Sequence, residues 1–170
     1  MEKLILVNET DCPIGLGEKI EIHQHGWLHR AFSVLIFDDK LNMLLQQRNF
    51  FKYHSGGLWS NACCGHPLEN EFVAEAASRR LREEMGFSCR LTFSFSFLYR
   101  SILQNGLIEN EYDHVFLGNY SGQVTPNPIE VISYKWENYF TLQKKVSASS
   151  ELYTSWFLLI MEKLPIVFNF

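Results

Sequence analysis

The feature that most constrains the fold is an amphipathic helix that follows a glycine-containing turn within residues 61–87. The apolar side chains that recur at i, i+3, i+4 and i+8 are Val73, Ala76, Ala77 and Leu81. Side chains at this spacing share one face of a helix, so the pattern predicts a helix with a single buried stripe. Asn70 is expected to cap its first turn, and Gly86 is expected to end it.

Short β-prone segments surround this helix. Residues 31–37 and 41–48 flank a turn signal and are predicted to form a hairpin. Residues 89–101 alternate, which predicts a long strand with the aromatic residues from Phe93 to Tyr99 on one face. The other predicted strands are Lys3–Val7, 59–63, 108–120 and 131–136.

The remaining segments are predicted to be turns, loops or helices. Residues 15–17 form a turn signal, and the polar, histidine-rich residues 18–29 are expected to be mainly loop. Two helices are predicted at 139–146 and 150–163, the second ended by Pro165. Because no repeat or linker divides the 170 residues, we expect one compact α/β (α+β) domain.

Composition narrows the classes of function. The chain is 46% hydrophobic and 20% charged, which is typical of a globular protein with a full core. Its formal charge of −4 argues against a nucleic-acid partner, and no apolar run reaches the roughly 18 residues of a membrane span. The four cysteines indicate no disulfide framework and the start is no secretory signal, so a cytoplasmic location is expected.

One face of the predicted helix carries a cation and two carboxylates. Arg80, Glu83 and Glu84 are related by i+3 and i+4, and carboxylates placed in this way can hold a hard divalent cation. The run from Gly65 to Phe87 resembles the Nudix box, except that Arg80 stands where the box usually has glutamate. The arginine weakens a hydrolase interpretation and adds a phosphate binder. An ordinary Arg80–Glu84 ion pair, worth about 0.3–0.5 kcal/mol, is the alternative.

A second group of candidate ligands is dispersed along the chain. Glu109 and Glu111 lie two apart in a predicted strand, so their side chains leave the same face. With His23, His29 and His66 they could form a mixed nitrogen and oxygen site for Mn, Zn or Fe and, less naturally, Mg. Each histidine alone is equally consistent with a surface or hydrogen-bonded residue, since the spacing is not that of a zinc finger.

Cys64 lies in a Cys-Gly-His turn that is expected directly before the helix. A helix N-terminus, an imidazolium or a metal would each lower the pKa of its thiol. The alternative is that Cys64 is only a small apolar residue. Cys63 points the other way if residues 59–63 form a strand, so it is the better candidate for the core.

Three cations precede this turn in the sequence. Lys19, Arg48 and Lys52 could form an anion site together with Arg80. Any one of them alone is equally consistent with a solvated basic surface.

Taken in this order, the motifs resemble those of type I isopentenyl-diphosphate isomerases over most of the chain. The most specific are the Trp-x-Asn-x-x-Cys-Gly-His-Pro block from Trp59 and the Glu-Asn-Glu block from Glu109, and Arg80 in the box is typical of this branch. Further matches are Glu18-Lys19 with His23, residues 28–33, Tyr99-Arg100, residues 134–136 and Trp156. The departures are small: Gly56 replaces a proline, and His25 is an extra histidine that ranks below His23 as a ligand.

The resemblance implies a Nudix-like mixed β-sheet sandwiched by helices. It also implies interconversion of isopentenyl and dimethylallyl diphosphate in isoprenoid biosynthesis, by a 1,3-allylic proton shift through a carbocation-like intermediate. Cys64 and Glu111 would be the acid–base pair, and Tyr99 would hydrogen-bond Glu111. The sequence does not fix which of the pair protonates first.

The resemblance also implies the ligands. Lys19, Arg48, Lys52 and Arg80 would bind the diphosphate, with Mg²⁺ on Glu84, and Trp156 would face the carbocation. The metal held by His23, His29, His66, Glu109 and Glu111 would be Mn²⁺ or Mg²⁺, with Zn²⁺ as a further candidate. A small isoprenyl diphosphate is the expected partner of a monomer or weak homodimer. The alternatives are a Nudix hydrolase of a small diphosphate and an inert diphosphate- or metal-binding module.

Overall fold

A computed structural model describes residues 3–103 and 105–168, with the backbone alone at 165–168. Within these residues nine strands form one mixed sheet. The strands are β1 (Lys3–Val7), β2 (Pro13–Glu18), β3 (His29–Phe37), β4 (Asn42–Arg48), β5 (Trp59–Ser60), β6 (Cys63–Gly65), β7 (Leu91–Ile102), β8 (Ile108–Asn119) and β9 (Val131–Asn138). The α-helices are α1 (Lys19–His25), α2 (Val73–Met85), α3 (Tyr139–Ala148) and α4 (Ser155–Phe168).

The centre of the sheet is the parallel pair β3 and β8, which stay in register from His29 beside Glu111 to Phe37 beside Asn119. The other strand pairs are antiparallel: β7 continues the sheet beyond β8, and β4 carries β9 and β5. Side chains alternate between the two faces of this sheet, and helices pack against both faces. The architecture confirms the predicted mixed sheet between helices.

Helix α2 covers one face of the sheet. Ala76, Ala77 and Leu81 of the predicted stripe are fully buried against β3 residues such as Val34, and Val73 is half-buried at the edge. Burial of a side chain such as Leu81 contributes about 1.5–3 kcal/mol. The opposite face packs against α3 and α4, whose buried residues are Tyr139, Leu142, Val146, Trp156, Phe157, Ile160, Met161 and Leu164. Among the described residues, no helix is long and apolar enough to cross a membrane.

Two segments near the N-terminus are regular where the sequence predicted a turn and a loop. Residues 15–17 belong to β2, which pairs with β1 through Gly17 and Leu4. A Cβ at Gly17 would lie 3.0 Å from Ile22 Cγ1, so glycine here marks a close approach to α1 and not a turn. The predicted loop at 18–29 contains α1, which forms because Ile22 and His23 face inward and are fully buried.

The strand pairing and one strand face also differ from the prediction, because tertiary contacts override the local sequence pattern. The predicted 31–37/41–48 hairpin is paired only at Phe37 and Met43, since β3 takes β8 and β4 takes β9 as main partners. A bulge between Phe93 and Phe95 turns Phe93 to the opposite face, where its ring contacts Phe116.

Helix ends differ in the same way. Asn70 is not a cap: it has a left-handed φ of +63°, and the extended residue before α2 is Phe72. Helix α4 begins at Ser155 because Thr154 N–H donates to the Trp59 carbonyl, and Ser150–Leu152 is a separate 3₁₀ turn. The prediction that Pro165 ends this helix is wrong, because the backbone of α4 continues to Phe168.

Gly86 ends α2 as predicted, and its substitution should be costly. Its φ is +77°, and an added Cβ would lie 2.2 Å from the carbonyl oxygen of Thr125. Left-handed backbone alone costs a non-glycine residue about 1–2 kcal/mol, and the clash adds to it. We expect Gly86→Ala to lower the free energy of unfolding, measured in urea, at least about twice as much as Gly106→Ala. Gly106 has a φ of +80° with no described atom within 4 Å of an added Cβ, so equal losses would contradict this prediction.

Candidate active site

Five buried side chains meet beside the parallel strand pair. They are His23 on α1, His29 at the start of β3, His66 just after β6, and Glu109 and Glu111 on β8. One potential ligand atom from each lies within 4.8 Å of those from the other four. The structure thus brings together the whole five-residue set that the sequence singled out.

Local structure explains this convergence. Glu109 and Glu111 leave the same face of β8 because they are two residues apart. His29 is the direct neighbour of Glu111 in the parallel β3–β8 register. The last turn of α1 adds His23, and β6 pairs with β3, which places His66 next to the same strands.

The hydrogen-bond pattern of this cluster suits a bound cation. His23 and His29 use Nδ1 to donate to the backbone carbonyls of Lys19 (2.6 Å) and Trp27 (2.9 Å). In a neutral imidazole the other nitrogen, Nε2, then carries a lone pair.

These lone pairs face carboxylate oxygens. His23 Nε2 lies 3.3 Å from Glu109 Oε2, and His29 Nε2 lies 3.5 Å from Glu111 Oε1. Neither His29 Nε2 nor Glu109 Oε2 has a hydrogen-bond partner among the described residues. A cation between the groups would remove the repulsion, and three imidazoles with two carboxylates fit a divalent metal ion.

Glu111 links this cluster to a tyrosine. Its Oε1 lies 3.1 Å from His66 Nε2, and its Oε2 accepts a 2.5 Å hydrogen bond from the Tyr99 hydroxyl. Burial raises the pKa of Tyr99 well above its usual range, so the hydroxyl keeps its proton and acts as donor. Burial also lowers the pKa of His66 to about 4, which keeps its imidazole neutral.

Cys64 lines a cavity next to the cluster, whereas Cys63 is fully buried in the core as predicted. The expected lowering of the Cys64 pKa by a helix N-terminus is wrong. Cys64 lies on β6 and not at the start of α2, and burial raises the pKa of its thiol to about 12. Arg48 opposes this effect, because its Nη1 lies 3.8 Å from Sγ and favours a thiolate.

The cavity holds about 230 Å³. Its lining includes every residue that the sequence assigned to catalysis or substrate binding. These residues are Cys64, Tyr99, Glu111, Lys19, Arg48, Lys52, Arg80 and Trp156. Glu84 also lines it, outside the five-residue cluster.

Ion pairs organise the cationic part of the cavity. Arg80 Nη2 lies 2.5 Å from Glu84 Oε1, so the ordinary i,i+4 pair is present, but Glu84 is buried and also accepts from Gln46. Glu130 contacts both Lys52 and Arg80. The pair with Glu84 and the position in the cavity therefore coexist.

Trp156 is held at the wall of the cavity by its indole N–H. Nε1 lies 3.0 Å from Ser60 Oγ and 3.3 Å from Asn61 Oδ1. The Arg48 guanidinium lies 5.2 Å from the centre of the ring. The Trp59–Asn61 part of the motif thus fixes a residue of the last helix.

Sequence reasoning missed two acid–base groups of this cavity, the buried His54 and the half-buried Glu130. His54 lies in the loop after β4, and its Nε2 is 2.8 Å from Glu109 Oε1. Its position two residues after Lys52 was the one available signal. Glu130 follows a proline-containing loop with no motif around it, so nothing in the sequence pointed to its place between Lys52 and Arg80.

Comparisons with known proteins agree with this geometry. A family model described as NUDIX domain matches residues 27–157. Isopentenyl-diphosphate Delta-isomerase 2 of Photorhabdus laumondii is 52% identical over 156 residues, covering 92% of this chain and 88% of the relative. The isopentenyl-diphosphate Delta-isomerase of Burkholderia multivorans is 45% identical over 168 residues, covering 98% and 96%. A crystal structure from Deinococcus radiodurans matches with a TM-score of 0.79 at 16% identity, covering 95% and 98%, which supports the fold alone.

Proposed function

The chain belongs to the NUDIX domain family and, within it, to the isopentenyl-diphosphate Delta-isomerases, and from this premise we propose how its side chains interconvert isopentenyl and dimethylallyl diphosphate. One observation carries the proposal: a thiol, a tyrosine-bound carboxylate and five lysine or arginine side chains line a single small cavity. This combination matches a substrate with a reactive alkene at one end and a diphosphate at the other.

The reaction sets three chemical demands. The terminal alkene carbon must gain a proton, and the carbon two positions away must lose one, so an acid and a base must flank the substrate. Water must be excluded, because it would trap the tertiary carbocation between these steps. The cation also needs stabilisation without a nearby nucleophile.

Glu111 and Tyr99 supply one of the two proton-transfer groups. In the direction that forms the dimethylallyl product, the reacting state has one proton on Glu111 and none on Cys64. Glu111 gives this proton to the terminal carbon, and the Tyr99 hydroxyl keeps the carboxyl group in place. A divalent metal held by His23, His29, His66, Glu109 and Glu111 would fix Glu111 and tune its acidity. In the reverse direction the roles of Glu111 and Cys64 exchange.

Cys64 supplies the other group. Its thiolate takes the proton from the carbon next to the diphosphate-bearing carbon, and the electron pair of that C–H bond forms the new double bond. Arg48, close to Sγ, offsets the cost of charging a buried sulfur. Cys64 and Glu111 both reach the cavity, which supports their placement around one bound substrate.

The diphosphate binds to Lys19, Arg48, Lys52 and Arg80. Arginine matches phosphate oxygens bidentately, and these side chains line the cavity together. Mg²⁺ on Glu84 would neutralise the remaining charge; because Arg80 and Gln46 already contact that carboxylate, Glu84 must share its oxygens with them. The ring of Trp156 faces the carbocation, and this cation–π contact stabilises the carbocation by about 2 kcal/mol when it is desolvated.

Three expectations remain predictions. The metal of the five-residue cluster is expected to be Mn²⁺ or Mg²⁺, with Zn²⁺ as a further candidate, since its mixed donors suit several divalent ions. The chain is also expected to act in the cytoplasm as a monomer or weak homodimer.

A direct assay distinguishes this function from that of a Nudix hydrolase. Incubation with isopentenyl diphosphate and Mg²⁺ in D₂O should yield dimethylallyl diphosphate with deuterium in the methyl group that was the terminal methylene. Arg80 lies in the box position where a hydrolase has a carboxylate, so no phosphate release is expected. The reaction is monitored by NMR. Phosphate release without an isomeric product would establish the hydrolase instead.

A further inference from the structure

His54 is a buried residue of the cavity that the proposed mechanism does not use. Its side chain is 4% exposed, and its Nε2 lies 2.8 Å from Glu109 Oε1. The loop that carries it is held on both sides. Arg48 Nη2 donates to the His54 carbonyl (3.3 Å), and Asn105 Nδ2 donates to the Tyr53 carbonyl (2.7 Å). The ring is therefore placed by the backbone and not only by its own contact.

Hydrogen bonding assigns the proton of this imidazole. An ionised Glu109 can only accept, so His54 Nε2 carries the hydrogen. Nδ1 then accepts from the Ser55 hydroxyl at 3.2 Å. Nε2 is the atom of His54 that faces the cluster. Because it carries a hydrogen, it has no lone pair with which to bind a metal.

The two oxygens of Glu109 consequently have different roles. Oε1 accepts from His54, whereas Oε2 lies 3.3 Å from His23 Nε2 and has no hydrogen-bond partner among the described residues. A carboxylate that is anchored by one oxygen presents the other in a fixed direction. The direction here is toward the three-histidine, two-glutamate cluster.

The same ring also contacts the cavity wall. It meets the Trp156 ring edge-on, with centroids 5.8 Å apart and planes at 88°. It also stacks near His23, with centroids 6.0 Å apart. His54 thus fills the space between the metal-binding cluster and Trp156.

We propose that His54 is a positioning residue for the metal site: its Nε2–H holds Glu109 by one oxygen and leaves the other free to bind the ion. The proposal rests on the metal site of the proposed function. Hydrogen-bond partners of ligating carboxylates typically change metal affinity about 10–100-fold when they are removed. His54 acts on the affinity and geometry of the ion, and it touches neither proton-transfer group in this role.

The test uses three variants of the metal-free full chain and titration with Mn²⁺ by calorimetry. His54→Phe keeps a ring against Trp156 but removes the donor, so the Kd should rise about 10–100-fold. His54→Gln places an amide N–H near the position of Nε2, so its Kd should stay within about threefold of the wild type. Phe51→Ala is the matched control, because Phe51 lies on the same loop and is 96% exposed.

Each outcome separates the possibilities. An unchanged Kd in His54→Phe, or a Gln variant as weak as the Phe variant, would overturn the positioning role. Pulsed EPR with Cu²⁺ should count the same number of nitrogen ligands in wild type and His54→Phe. Loss of one nitrogen would make His54 a ligand and overturn the proposal. If His54→Phe fails to fold, His54→Asn, whose shorter amide cannot reach Glu109, replaces it. A wild type that binds no ion would instead overturn the metal site of the proposed function.

Discussion

Replacing Cys64 with alanine is expected to lower the isomerase turnover number by about 10²–10⁴-fold, the contribution of a positioned proton-transfer group. The thiol lines the cavity, and no other thiol does so among the described residues, since Cys63 and Cys89 pack at the core under α2 and Cys12 is exposed. The variant should keep its fold, because alanine fits where a small side chain lies on β6. Rates are measured by NMR with isopentenyl diphosphate, and folding is measured by circular dichroism.

Cys63→Ala is the matched control for this experiment. It removes the neighbouring thiol, which belongs to the core cluster under α2, and so it should affect stability and not turnover. Near-normal turnover in Cys64→Ala would refute the assignment of Cys64. Loss of turnover in Cys63→Ala with an intact fold would show that the wrong cysteine had been chosen.

Glu111→Gln should remove turnover to a similar extent, but it tests two roles at once. Glu111 accepts from Tyr99 and also belongs to the five-residue cluster. The amide keeps the shape of the side chain and loses the transferable proton. Metal content must therefore be measured beside the rate, and a variant that keeps its ion but not its activity would isolate the proton transfer.

Much of the fold was readable because its signals are local. The stripe from Val73 to Leu81 needs only the helical repeat, and Gly86 needs only a left-handed position to end the helix. The predictions for residues 15–17 and α1 were wrong because these segments depend on tertiary contacts. Residues 15–17 pair with β1, and α1 forms where His23 is buried, and neither contact can be read from a short stretch of sequence. The reversed face of Phe93 follows from a bulge that alternation alone cannot reveal.

The sequence predicted the site residues whose types and spacing are uncommon outside a metal site. It did not predict the residues whose role is to contact those site residues. Glu109 and Glu111 stand out because two carboxylates on one face of a strand are costly without a cation. His54 and Glu130 have no motif, since their roles are to contact Glu109, Lys52 and Arg80, partners distant in the sequence. Such pairs become visible only when the fold brings the loops together.

His66→Ala should abolish tight binding of the divalent ion. The substitution removes a ligand and leaves Glu111 Oε1 without its closest imidazole, which is 3.1 Å away. The loss of metal affinity should therefore exceed the roughly 10–100-fold loss that follows removal of a supporting hydrogen bond. Elemental analysis after desalting should find the ion in the wild type and not in the variant. His25→Ala is the control, because His25 lies on α1 beside the ligand His23 but is exposed and stacks on Trp27 outside the cluster.

Thermal unfolding gives a second readout for the His66 prediction that does not depend on catalysis. An ion at about 100 times its Kd stabilises the folded state by about 2.7 kcal/mol, so added metal should raise the melting temperature of the wild type and of His25→Ala. His66→Ala should show little or no rise at the same concentration. Full retention of the ion, or an equal thermal shift, would contradict the ligand set. Loss of the ion in His25→Ala would show that the extra histidine, and not only the buried ones, binds the metal.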